Sequence, residues 1–188
     1  MPITMLDPKT ALIVIDLQNG IAGYPCVHPL PDIAARSRTL AAAFRARHMP
    51  VVMVTVNGVP ANRTEQQRGL RELPQGWDEL LPELDAQPQD HRVAKQNWGA
   101  FTNTGLQSYL KAQGVTQVVI TGVATSAGVD STARQANELG FNVVLVTDAM
   151  TDLSLEAHDY TIKRIFPRIG ETGTMQDVLD MLTARKAA

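Results

Sequence analysis

"VVITGVATSAGVDSTARQA", Val118 to Ala136, decides the fold class. Its apolar run reads as a buried strand that breaks at Gly122 into small residues, which lead into a helix at about Val129. A strand turning tightly onto a helix is the repeating unit of a parallel α/β sheet. Such a turn is also a favoured place for a nucleophile or a phosphate cradle. Yet Val129 and Asp130 follow Gly128, where a P-loop needs lysine and Ser/Thr to reach phosphate and magnesium. The dinucleotide fingerprint is absent as well, so nucleotide binding is not expected.

The same alternation runs outward in both directions. "TALIVIDLQ" is an apolar run between Lys9 and Asp16, the pattern of a strand buried on both faces. Ile33 to Arg47 has helical composition, and Val51 to Val56 supplies a second strand. Pro60 to Asp90 is polar and irregular, with a short helical piece near Trp77 to Leu81; connections this long are often functional. "HRVAKQ" gives a short strand carrying Lys95, and "GLQSYLKAQG" a helix closed by Gly114. Val115 to Val123 and "FNVVLVTDAM" are further buried strands, separated by a helix from Ser126 to Leu139. "SLEAHDYTIKRIF" forms the next helix, Gly170 to Gly173 a short strand, and "TMQDVLDMLTARKA" the last helix. Strands and helices in alternation predict parallel pairing with helices on both faces.

The 188 residues suit a single domain spanning 1–188. A formal net charge of −2 provides no field to gather nucleic acid or anionic lipid, which leaves a small molecule as the expected partner. Cys26 is the only cysteine, so no internal disulfide can form, and a cytoplasmic protein is expected. The N-terminal apolar run is short, ends at Asp16 and lacks a basic start, so it reads as neither signal peptide nor membrane span.

In open parallel sheets ligands bind beyond the carboxyl ends of the strands. That rule selects Asp16, Asn57, Lys95, the turn from Val123 to Gly128, and Asp148. Alone, a strand-end Asp commonly does no more than bond nearby amides, and a lone Lys is commonly solvated. Together at one sheet edge they can exchange protons with a substrate. Cys26 leaves the end of the first strand in a nearby loop; it reads as a small buried hydrophobe or, alternatively, as a nucleophile. His28, His48, His91 and His158 lack metal-ligand spacing, so no metal and no cofactor are expected, and His158 reads as a packed or surface residue.

"ALIVIDLQNG", "VAKQNWGAFTNTGL", "VVITGVATSAGVDSTARQANELGFNVVLVTDAMTD" and "EAHDYTIKRI", in this order, resemble the isochorismatase-like (cysteine) hydrolase superfamily. The resemblance implies a doubly wound, Rossmann-like parallel sheet of six strands with helices on both faces, usually in a homo-oligomer. It also implies a catalytic triad in which Asp16 and Lys95 match the family's aspartate and lysine, while the cysteine position holds Gly128. The family's non-proline cis peptide would fall between Val123 and Ala124, with an oxyanion hole from the Ala124 and Gly128 amides. Gln18, Asn57, Trp98 and Thr125 are further candidates for pocket lining.

Replacement of the cysteine by glycine separates the family's two chemistries. Its amidases work through a thiol adduct, whereas true isochorismatases use the strand-one aspartate as acid and water as nucleophile, with glycine at the cysteine position. The expected function is therefore hydrolysis of a small molecule by non-covalent general acid/base chemistry with Asp16 and Lys95. One alternative is an amidase-type hydrolase with Cys26 as substitute nucleophile, and another is an inactive ligand-binding or scaffold homologue.

Overall fold

The computed structural model describes residues 3–58, 63–65 and 73–184, so parts of the segment from Pro60 to Asp90 lie outside the described residues. Six strands, β1 (Thr10–Ile15), β2 (Val51–Val56), β3 (His91–Lys95), β4 (Gln117–Val123), β5 (Asn142–Thr151) and β6 (Glu171–Gly173), form one sheet. Every pairing is parallel, in the order β3-β2-β1-β4-β5-β6. The chain winds outward from β1 to β3, then crosses back to β4 and winds outward the other way. The order thus reverses between β1 and β4, the crevice where such sheets hold ligands.

Alternate residues of the central strands feed two cores. Leu12 and Val14 of β1, Met53 of β2 and Val119 of β4 pack with Ile33, Leu40 and Phe44 of α2 (Leu30–Arg45) and Val178 and Leu182 of α6 (Met175–Ala184). Ile13, Ile15, Val54 and Ile120 face the other way. They pack with Leu106 and Leu110 of α3 (Leu106–Ala112) and Val129, Ala133 and Ala136 beside or within α4 (Asp130–Glu138). All six residues of β1 are buried, which is why its sequence is apolar without alternation. Truncating one of these, as in Ile13→Ala, would cost about 2–5 kcal/mol.

Strand ends are drawn together at the switch point. Gly122 has φ 119°, and a Cβ there would collide with the Ile15 carbonyl, so only glycine lets β4 approach β1 so closely. Pairing of β4 with β5 shifts register between Ile120 and Gly122, which carries β5 on to Thr151, opposite Val123.

Several elements depart from the sequence reading. Trp77 to Leu81 is not helical: a turn leads to Leu80, which bridges Gln18, and a 3-10 turn follows at Pro82–Leu84. The helix expected from Ser126 opens as one π turn, Thr125–Val129, before α4. "SLEAHDYTIKRIF" is α only in α5 (Leu155–Tyr160), then passes through a π turn to a 3-10 turn at Phe166–Arg168. Pro167 has no N–H to continue an α-helix. A short α1 (Asn19–Ala22) also lies in the loop after β1, too brief to leave a helical period. No helix among the described residues is long and apolar enough to cross a membrane.

Candidate active site

Asp16 is the first residue past β1, and Lys95 is the last of β3, two strands away. Neighbouring strands lie nearly 5 Å apart, so the cation must span about 10 Å across the end of β2, a reach that suits the long lysine stem. Lys95 Nζ donates to Asp16 Oδ2 at 2.8 Å and to the Asn97 carbonyl at 3.1 Å. Both residues are buried, Asp16 6% and Lys95 3% exposed. Asp16 also has φ 53°, a left-handed backbone that costs a non-glycine residue roughly 1–3 kcal/mol and is tolerated chiefly at functional positions.

The second oxygen, Asp16 Oδ1, has no hydrogen-bond partner among the described residues, although it is fully enclosed. Burial pushes the Asp16 carboxyl up to about 6, while the charge and hydrogen bond of Lys95 pull it the other way. A carboxyl tuned this close to neutrality can give or take a proton during turnover.

The turn after β4 forms the facing wall. The Val123–Ala124 peptide bond is cis, and the Ala124 carbonyl accepts from the N–H groups of Ala127 (3.0 Å) and Val129 (3.1 Å). Gly128 is buried, and a Cβ on it would stand 3.0 Å from Asp16 Oδ2 and 3.1 Å from Ile15 Cγ2. A side chain at 128 would therefore point at the carboxylate. Its Cβ would also stand 3.2 Å from the Val123 carbonyl, so glycine is what lets the turn pack this closely on Asp16.

The remaining candidates divide. Gln18 is wholly buried, and its amide is committed to the scaffold: Nε2 donates to the carbonyls of Val56 (2.9 Å) and Trp77 (3.0 Å), and Oε1 accepts from Val56 N–H (2.7 Å). Asn57 is exposed, and its N–H donates to the Lys95 carbonyl. Trp98 is exposed, three residues beyond Lys95. The Thr125 hydroxyl is buried and engaged by Thr151 and His158. Cys26 lies half-buried against the core on the α2 side, and burial, then the Asp152 charge, pushes its thiol up, away from the reactive thiolate. It makes no hydrogen bond to the free oxygen of Asp16.

Asp152, which the sequence reading passed over, and His158 shape the turn from behind. Asp152, just past β5, accepts from Ser126 N–H at 2.7 Å, and His158 of α5 stands 2.8 Å from Thr125 Oγ1. His158 is buried, the packed one of the two readings. Its only sequence signal was position on the inner face of a short helix. Asp148, expected at a strand end, lies inside β5, where it accepts from Met175 N–H at the start of α6 and pairs with Arg36. A cavity of about 420 Å³ lies beside α1, lined in part by Asn19, Gly20, Trp77 and Glu79. In that loop Glu79 already accepts backbone and side-chain contacts from Asn19, whereas Asp16 retains a buried oxygen with no partner among the described residues.

The doubly wound parallel sheet places the chain among α/β proteins, and comparison with known proteins identifies the family. Residues 10–177 match the isochorismatase domain, and the chain belongs to the isochorismatase family of hydrolases. It is 39% identical over 183 residues to the isochorismatase family protein YecD of Escherichia coli O157:H7, covering 92% of this chain and 96% of that one. An isochorismatase family protein from Burkholderia thailandensis superposes with a TM-score of 0.92 at 40% identity, over 95% of this chain and 98% of the other. The ureidoacrylate amidohydrolase RutB of Pseudomonas syringae pv. syringae (strain B728a) is 30% identical over 179 residues, 79% of this chain and 73% of its own.

Proposed function

We propose that this isochorismatase-family hydrolase cleaves a small-molecule substrate without a protein nucleophile, by general acid/base chemistry at Asp16. The observation that carries this reading is the buried, unpartnered Asp16 Oδ1, beside an Oδ2 tied to Lys95 and a position 128 that has no side chain. Protonated Asp16 donates from Oδ1 to the leaving atom as the scissile bond breaks. Water attacks the carbon from the space beside Gly128, and the proton it releases restores the carboxyl. Lys95 orients the carboxylate and holds its charge, and where a carbonyl is attacked the Ala124 and Gly128 amides receive the developing oxyanion. The bond is C–N or ether; the similarity to a ureidoacrylate amidohydrolase favours C–N.

A panel of amides, ureido compounds, esters and vinyl ethers, assayed with the wild type, Asp16→Asn and Cys26→Ser, tests this. Wild type and Cys26→Ser should turn over one class at similar rates, while Asp16→Asn loses about 10²–10⁴-fold. Unchanged turnover by Asp16→Asn would refute the reading. Loss in Cys26→Ser, with substrate protecting against alkylation, would assign the attack to the thiol. A ligand bound firmly with no turnover across the panel would make the chain a binding protein.

A further inference from the structure

Behind the turn lies a buried polar cluster that the acid/base chemistry leaves unused. Thr125 is wholly buried, and its Oγ1 donates to the Thr151 carbonyl at 3.0 Å. A hydroxyl has one hydrogen, so toward His158 Nδ1, 2.8 Å away, Oγ1 can only accept. His158 Nδ1 must therefore carry a hydrogen, and in the neutral ring Nε2 holds the lone pair. Burial and the neighbouring His28 ring, 4.9 Å away between centroids, both push His158 below its ordinary range and keep it neutral; the charges of Asp152 and Asp159 oppose them. The carboxylate of Asp152, also buried, accepts from Ser126 N–H through Oδ2 and from Leu153 N–H at 2.8 Å and Ser154 N–H at 3.3 Å through Oδ1. Two successive residues of the turn, Thr125 and Ser126, are thus tied from one side to the junction of β5 and α5. Gly128 follows two residues later.

We propose that His158 is a positioning residue for this turn: locked as the Nδ1–H tautomer, it donates to Thr125 Oγ1 and, with Asp152, fixes where the Ala124 and Gly128 amides stand relative to Asp16. The hydrogen bond of His158 goes to Thr125 and not to Asp16, so it acts through Thr125. Its effect on rate rests on the proposed function above; its tautomer does not.

The tautomer is read in the wild-type protein by ¹⁵N-resolved NMR of the histidine side chains at neutral pH. His158 should show a protonated Nδ1 and a lone-pair Nε2, and Thr125→Val, which removes the acceptor but keeps the shape, should abolish that preference. An Nε2–H ring in the wild type overturns the proposal, whatever the activity. On a substrate found with the panel above, His158→Leu should lower kcat about tenfold with KM little changed, because a displaced oxyanion turn is felt in the transition state. His158→Asn, whose amide nitrogen can occupy the place of Nδ1, should recover most of that rate. If both variants lose stability but keep the wild-type kcat per folded molecule, the role is structural only and the proposal fails. If instead Asp16→Asn retains turnover while His158 shows the Nδ1–H form, the acid/base reading fails and the tautomer lock stands.

Discussion

Two buried ion pairs stand at opposite ends of the same edge strand. At the start of β3, Asp90 receives the Arg45 guanidinium through both oxygens, at 2.9 and 2.7 Å, and Gln87 N–H as well, at 2.7 Å. At its end, Lys95 meets a single oxygen of Asp16, and the other has no partner among the described residues. Both carboxylates are deeply enclosed, with side chains 1% and 9% exposed. A buried carboxylate is tolerated when its lone pairs are satisfied, and Asp90 meets that condition while Asp16 does not. The first pair is complete as a scaffold part. The second retains an unsatisfied acceptor where the backbone is also strained, which is why the proposed chemistry is placed there.

This contrast can be broken from either end. Asp90→Ala leaves the Arg45 charge buried without its partner and should cost about 3–5 kcal/mol in urea unfolding, with kcat per folded molecule unchanged. Lys95→Ala should reverse that balance of effects, lowering kcat about a hundredfold or more by leaving Asp16 without its orienting cation. Gly128→Ala would press a Cβ against Asp16 Oδ2; about a tenfold fall in kcat, with a stability change on the order of 1 kcal/mol, would show that the space beside the carboxylate is used. If Gly128→Ala is silent in rate, water does not attack from that space.

A further effect is on stability against pH. The carboxyl of Asp16 is raised from 3.8 in the unfolded chain to about 6 in the folded one. The folded state therefore holds its proton more tightly, so this group favours folding most below about pH 4 and loses that contribution as pH rises through about 6. Subtracting the Asp16→Asn curve from the wild-type curve should isolate this downward slope between pH 4 and 6. Acting as an acid, Asp16 should also make kcat/KM fall as pH rises above about 6; a fall below 6 instead would make it the base.

Much of this was legible because strand and charge coincide in the sequence. β1 and β2 are nearly continuous apolar runs, and Asp16 and Lys95 are the charges at which β1 and β3 stop, so the parallel sheet and the strand ends that carry these two charges could be read directly. What escaped depends on contacts between distant residues. Gln18 was a candidate for pocket lining, but its amide is engaged by Val56 and Trp77, 38 and 59 positions away. Thr125 similarly turns to His158, 33 positions on, and no local pattern announces that pairing. The turn at Trp77 to Leu81 is set by its bridge to Gln18, which overrides whatever helical tendency the segment has.

The central claim is that Asp16 presents, on the oxygen left unused, a carboxyl able to change protonation near neutrality. The most direct measurement is the ¹³C NMR titration of the Asp16 side-chain carboxyl in the free wild-type protein, repeated with Lys95→Ala. A midpoint near 6 that moves higher when Lys95 is removed is the predicted result. A midpoint near 4, indifferent to Lys95, would contradict it.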